Sequence, residues 1–300
     1  MGDSGIQFFN RYTGEAETEI VYGEKWLRFI LFNPFGKLAL HMVAKRAWFS
    51  QWYGGRMSHP RSAAKVRPFI EQYKIAEAEH VKAADEFTSF NDFFYRKLKP
   101  EARPVDAAID SVVFPADGRH LGFAKATEVE GVFMKGQRFD LPKLLGDKIL
   151  AEKFAGGAAV FSRLCPVDYH RFHFPVAGVP GEARLINGPL QSVNPLALRD
   201  RLAILWENKR YITEIETEKS GKVLVLEIGA TNVGSVNHTF VPTRPVAKGE
   251  EKGYFAFGGS ATLTLFEPGR VKLAVDLLEQ SEQQRELYAK VGDLMGAVVA

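Results

Sequence analysis

Three hundred residues, 46% of them hydrophobic and 25% charged, can bury a large core, which excludes an intrinsically disordered chain and suits one large domain or a domain with an appendage. A net charge of +3 is too small to argue for nucleic acid as a partner of the whole chain. The single cysteine, Cys165, excludes an internal disulfide framework and a Cys-based structural zinc site, which fits a cytosolic setting.

The amino terminus carries Asp3, Glu15, Glu17 and Glu19 and lacks the basic-then-apolar order of a secretion signal, so it is expected to be mature protein. Met1-Gly2 does not open a myristoylation signal, because Ile6 stands where Ser or Thr is needed. Residues 8 to 23 place aromatic and β-branched pieces around Thr13-Gly14, a turn in a hairpin-like or irregular lead-in. From Glu24 to about Tyr73 long side chains recur at helical spacing, interrupted at Asn33-Pro34 and Gly54-Gly55, which predicts two or three helices. This stretch mixes Trp26, Phe29, Trp48 and Trp52 with Lys25, Arg28, Lys37, Lys45 and Arg46. Aromatic rings beside cations suit a helix in the lipid headgroup layer, and equally an amphipathic helix packed on a core. No apolar run approaches the roughly 20 residues that cross a bilayer.

Ser89 to Phe94 reads as a short capped helix, which Pro100 and Pro104 close, so a boundary is expected near residue 105. Beyond it, apolar runs at Ala158 to Arg163, Lys222 to Gly229 and Ala261 to Phe266 read as strands, and a final helix is expected from about Leu277 to Met295. The predicted class is α+β: a helical, membrane-associating region over 1–105, then a β-rich catalytic core over 106–300 with a carboxy-terminal helix.

Three short segments could carry chemistry. In Gly258-Gly259-Ser260 two glycines interrupt a strand pattern directly before a serine. Alone, this is most often a bulge or tight turn. Its functional reading is that the Ser260 hydroxyl attacks the Gly259 carbonyl, and that elimination and hydrolysis of the resulting ester turn Ser260 into a pyruvoyl ketone. Such a ketone can form a Schiff base with a substrate amine and delocalise electrons from a departing carboxylate, with no separate cofactor. In Asp168-Tyr169-His170-Arg171-Phe172-His173, two histidines suit proton transfer near neutral pH. A metal pair is disfavoured there, since Pro166 and Pro175 bracket the segment and an extended chain puts i and i+3 on opposite faces. Pro115-Ala116-Asp117-Gly118 supplies an acid in a turn, which could orient a histidine that activates a serine.

Together and in this order, these segments resemble the phosphatidylserine decarboxylase family. The resemblance extends to Asn10-Arg11-Tyr12-Thr13-Gly14, Phe90-Asn91-Asp92-Phe93-Phe94-Tyr95-Arg96-Lys97-Leu98, Ser192-Val193-Asn194-Pro195, Asn208-Lys209-Arg210, Gly229 to Ser235 and Lys252 to Glu267. It implies that the chain makes phosphatidylethanolamine and CO2 from phosphatidylserine. Gly259-Ser260 is then the cleavage site, dividing the chain into 1–259 and 260–300, with Ser260 becoming the pyruvoyl group. Asp117 and His173 would activate Ser260, and His170 would act as the acid of the substrate stage. A homodimer, an anionic membrane surface and a peripheral place on the cytoplasmic side of the cell membrane are further implications. The family commonly has Ser or Thr where this chain has Ala261, which is expected to slow processing or turnover at most. Two other readings stay open: a non-processing relative that binds acidic lipids, and a metal-dependent hydrolase using His120, His170, His173 and Asp117.

Overall fold

The structure, a computed structural model, describes residues 6–19, 54–129, 139–193, 197–198, 201–230, 236–257 and 260–299. The strands of the first half are β1 Gln7–Asn10, β2 Glu15–Thr18, β3 Ser111–Val113, β4 Gly118–Phe123, β5 Ala159–Leu164, β6 Arg171–His173, β7 Val179–Pro180 and β8 Arg184–Ile186. Those of the second half are β9 Arg210–Glu216, β10 Lys222–Gly229, β11 Val236–His238, β12 Glu251–Phe255, β13 Ser260–Phe266, β14 Val271–Leu273, β15 Glu286–Ala289 and β16 Leu294–Val298. The predicted runs at 158–163, 222–229 and 261–266 are thus strands β5, β10 and β13, within one residue.

One large sheet runs in the order β2-β1-β15-β4-β5-β13-β10-β9-β7, with β8 also on β9. The hairpin expected around Thr13-Gly14 is β1–β2, and β1 joins the sheet parallel to β15, so the start of the chain is stitched to its end. In β13, alternation sends Ala261, Leu263 and Leu265 to one face, where they meet Leu224, Leu226 and Ile228 of β10. Three short helices, α3 Leu141–Leu145, α4 Lys148–Phe154 and α5 Ile204–Glu207, cover that face with Leu144, Leu145, Phe154 and Leu205. The opposite face is covered by helix α6 (Val275–Glu282) and by two three-stranded sheets, β11-β12-β6 and β14-β16-β3.

Among the expected amino-terminal helices, residues 20–53 lie outside the described residues. The described part contains α1 (Val66–Tyr73), which ends where Lys74 turns left-handed at φ 51°, and α2 (Phe90–Phe94). Ser89 caps α2 as its sequence requires, its hydroxyl accepting from the Asp92 N–H at 3.1 Å. Met57, Phe69, Ile70, Phe87, Phe90, Phe93 and Phe94 form a separate apolar cluster that includes Phe257, just ahead of Ser260.

The carboxy-terminal helix is shorter than the sequence predicts. It stops at Glu282, and Glu286–Ala289 and Leu294–Val298 are strands instead. Helical spacing at Leu287, Val291 and Leu294 misleads because neighbouring β4 and β3 offer whole ladders of backbone partners, and ladder pairing outweighs weak helix propensity. Gly292 then takes φ +90°, close against the Pro104 carbonyl, a conformation no helix interior contains.

Helix α6 seats Leu277 directly over Gly122 of β4, where a side chain would come within 2.6 Å of the leucine. Leu277 is fully buried. Leu277→Ala therefore leaves a cavity on the sheet and is expected to cost about 2–5 kcal/mol, read as a lower urea midpoint with an unchanged m-value.

Candidate active site

Ser260 is the first residue of β13, in register with Leu164 of β5 and Gly229 of β10. Gly258 and Gly259 lie outside the described residues. The alternation that buries Ala261 among the leucines turns Ser260 to the other face, beside Leu164. There Leu164 packs with Phe172 and Phe255, so the small sheet β11-β12-β6 lies over the serine. Ser260 is completely buried, and its Oγ has no hydrogen-bond partner among the described residues. A buried hydroxyl left without a bond costs about 1–3 kcal/mol, a cost that Ser260 shares with Thr262 and Thr264 of the same strand. Ala261 points away into the core, so the hydroxyl missing at this position would not have reached the serine's side. That removes the reason for expecting Ala261 to slow the chemistry.

Both histidines sit on the covering sheet or at its edge. His173 ends β6, and its backbone N–H donates to the Pro115 carbonyl at 2.7 Å. His170 lies just ahead of β6, its carbonyl accepting from the Phe255 N–H at 2.9 Å. A carbonyl can only accept, so the Nδ1 contacts of His173 with Gly249 O (2.9 Å) and of His170 with Asp168 O (3.0 Å) place the hydrogen on Nδ1 in both rings. Each Nε2 therefore carries a bare lone pair, and each is buried without a partner among the described residues. Burial lowers both pKa values, that of His170 to about 3. Two neutral imidazoles thus present a proton acceptor each. They do so in different places. The His170 ring lies 3.8 Å from that of Phe94, which packs on Phe257, three residues ahead of Ser260 in the chain. His173 lies beside Tyr169 and the Asp117 turn.

Asp117 is not bonded to His173. Arg103 grips it through Nε at 2.9 Å and Nη2 at 2.6 Å, and the Val291 N–H donates to it at 2.9 Å. Its charge reaches His173 through space, opposing the lowering by burial. His120, the fourth member of the hydrolase reading, has both ring nitrogens occupied, by Ser162 Oγ at 2.8 Å and the Ala289 carbonyl at 3.2 Å, and it stacks on Phe114. It cannot join the other three as a metal ligand.

Several residues gain a place here that single-sequence reasoning gave no role. Asn91 accepts the Phe257 N–H at 2.8 Å and donates to Ser58 Oγ at 2.9 Å, fixing the backbone that leads into Gly258-Gly259-Ser260. Glu227 lies on the serine's face of β10 and binds Lys252 at 2.6 Å and His238 at 3.0 Å, all within the covering sheet's shadow. Burial opposes the Glu227 charge, but Lys252 and His238 hold its carboxyl below the usual range. Arg96 is buried beside His170. Its one signal in the sequence is membership of the Phe90–Leu98 block.

Residues 90–297 match the family model described as phosphatidylserine decarboxylase. A phosphatidylserine decarboxylase proenzyme of Fusobacterium nucleatum is 44% identical over 296 residues, 99% of this chain and 99% of that protein. Proenzymes of the same description from Chlamydia pneumoniae (43% over 290 residues, 97% of this chain and 96% of the relative) and Chlamydia muridarum (45% over 296 residues, 99% and 98%) are similarly close.

The buried histidines make stability depend on acid. His120 and His170 fall from 6.5 to about 3 through burial, so folding favours their neutral forms; this contribution is whole above pH 6.5 and is lost as pH falls toward 3. Glu19 acts in the same direction: burial opposes its charge, yet Arg163 holds it at about 2, and its contribution is lost below its ordinary 4.5. Urea midpoints are expected to fall steadily on acidification below pH 6.5, and His120→Asn to flatten the upper part of that fall.

Proposed function

The chain belongs to the phosphatidylserine decarboxylase family, and from that premise we propose how its own residues make phosphatidylethanolamine and CO2 from phosphatidylserine. The observation that carries the reading is the fully buried Ser260 hydroxyl, without a partner among the described residues, on a central strand covered by the sheet whose strand β6 ends in His173 and is preceded by His170. A buried hydroxyl that no described residue bonds fits a pyruvoyl precursor. Once formed, a pyruvoyl group supplies a ketone that condenses with the substrate amine and takes up the electrons released as CO2 leaves.

In the first stage His173 Nε2 takes the Ser260 proton as Oγ bonds to the Gly259 carbonyl carbon, and returns it to the amide nitrogen that is displaced. Elimination and hydrolysis then leave Gly259 as a new carboxylate and residue 260 as the ketone, with ammonia released. Asp117 supports the transient imidazolium by its field, clamped by Arg103 rather than hydrogen-bonded to the ring. In the second stage the substrate arrives as an ammonium and must shed a proton before it can react. His170 Nε2 receives that proton and returns it to the carbon that lost CO2, so a histidine that is neutral when the site is empty can still act as the acid. Phe94 and Phe257 keep water from the same place.

The fragment 260–300 is expected to stay in place after cleavage. Its strand β13 is paired on both sides, and β15 carries β1. Intact-protein mass spectrometry is expected to show chains of 1–259 and 260–300, the smaller blocked at its amino terminus and reactive toward hydroxylamine. Ser260→Ala should remain one chain and His173→Ala should cut slowly, whereas His170→Ala should cut normally but turn over about 10²–10⁴-fold more slowly. A single uncut wild-type chain would instead favour a lipid-binding relative without catalysis.

We further propose that the enzyme acts as a peripheral protein, a homodimer, on the cytoplasmic side of the cell membrane. Its basic and aromatic segment over 24–73, within a region spanning 1–105, would meet anionic lipid. No helix among the described residues is long and apolar enough to cross a membrane. Changing Lys25, Arg28, Lys37, Lys45 and Arg46 to Glu is expected to weaken flotation with phosphatidylserine vesicles several-fold per charge, at about 1 kcal/mol each. Unchanged flotation at low and high salt would exclude this surface.

A further inference from the structure

Arg96 sits at the end of the Phe90–Leu98 block and is buried, with its guanidinium turned inward over the Phe93 ring at 4.8 Å. Only Nη2 is engaged, donating to the carbonyls of Val167 at 3.2 Å and Asp168 at 3.3 Å. Nε and Nη1 are buried with no partner among the described residues, so three of the five N–H bonds of a guanidinium are idle. Leaving them so costs several kcal/mol, which a bound anion would offset. Of the other buried arginines, Arg119 leaves only Nε without a partner among the described residues, its Nη1 being bonded to Asp168. Arg163 is saturated by Glu19 and Glu286, and Arg210 by the carbonyls of Leu144, Asn208 and Lys143.

The Asp168 carbonyl that accepts from Arg96 Nη2 also accepts from His170 Nδ1 at 3.0 Å. Arg96 Nη2 and His170 Nδ1 therefore lie no further apart than those two hydrogen bonds laid end to end. We propose that Arg96 binds the phosphodiester of the substrate, a positioning role that rests on the decarboxylase reading above.

The choice of phosphodiester over carboxylate follows from charge. In the transition state negative charge leaves the carboxylate, so a buried guanidinium on that group would stabilise the ground state more than the transition state and slow the reaction. The phosphodiester keeps its charge throughout, and its phosphorus is only three bonds from the carbon that His170 protonates. A cation beside His170 matches that spacing, and the carboxylate is left to the apolar side formed by Phe94 and Phe257. The carboxylates of Asp117 and Asp168, whose fields reach Arg96, are bonded to Arg103 and Arg119 instead. They leave Arg96 free to take an anion.

The test uses the full-length self-processed enzyme with phosphatidylserine in mixed micelles, comparing wild type, Arg96→Lys and Arg96→Gln. Both variants should cleave as wild type does by mass. Arg96→Gln should raise KM about 10- to 100-fold with kcat within a few-fold, because uniform binding is lost, and Arg96→Lys should fall between. Competitive inhibition by glycerophosphoethanolamine should weaken in the same proportion as KM rises, whereas inorganic phosphate reports whether the phosphate alone suffices. An unchanged KM, a loss confined to kcat, or failure of both variants to cleave would overturn the assignment and make Arg96 structural. Failure of the wild type to release CO2 would instead sink the decarboxylase reading itself.

Discussion

The pairing of β13 between β5 and β10 is the constraint on which the rest of the molecule depends. Backbone bonds on both sides fix its register from Ser260 to Phe266, and a slip of one residue would exchange the leucine face for the serine face. That register alone puts Ser260 on the covered side and Ala261 in the core. It also explains how a chain could be cut at the start of a central strand without falling apart. The strand is held by its neighbours, and little of its stability depends on the peptide bond that precedes it.

Around this strand the protein carries an unusual load of buried charge, arranged in two kinds. The first kind is closed: Arg163 with Glu19 and Glu286, and Glu227 with Lys252 and His238, where each charge meets its opposite and the donors are used. Such groups add specificity of arrangement more than stability, since desolvation offsets much of the attraction. The second kind is open and includes Ser260 Oγ, the two histidine Nε2 atoms and Nε and Nη1 of Arg96, which lack a partner among the described residues. Of these, Arg96 and His170 share the Asp168 carbonyl, and His170 packs on Phe94.

Much of this was legible in the sequence where local rules decide. The Ser89 cap, the Thr13-Gly14 turn and the runs that became β5, β10 and β13 follow from side-chain alternation and capping chemistry, which act within a few residues. At the end of the chain Leu287, Val291 and Leu294 satisfy helical spacing as well as strand pairing, and only the presence of β4 and β3 as partners chooses between them.

By itself the sequence determined the chemistry available: Gly259-Ser260, His170, His173 and Asp117 are residue types with the right reactivity, in an order that resembles one family. Tertiary structure decided how they are deployed. Asp117 is held by Arg103, from another part of the chain, and acts on His173 by its field. Arg96 became visible as a site residue only when the fold set it and His170 on one carbonyl. Hydrogen-bond satisfaction and burial depend on contacts between residues distant in the chain, and no local pattern records them.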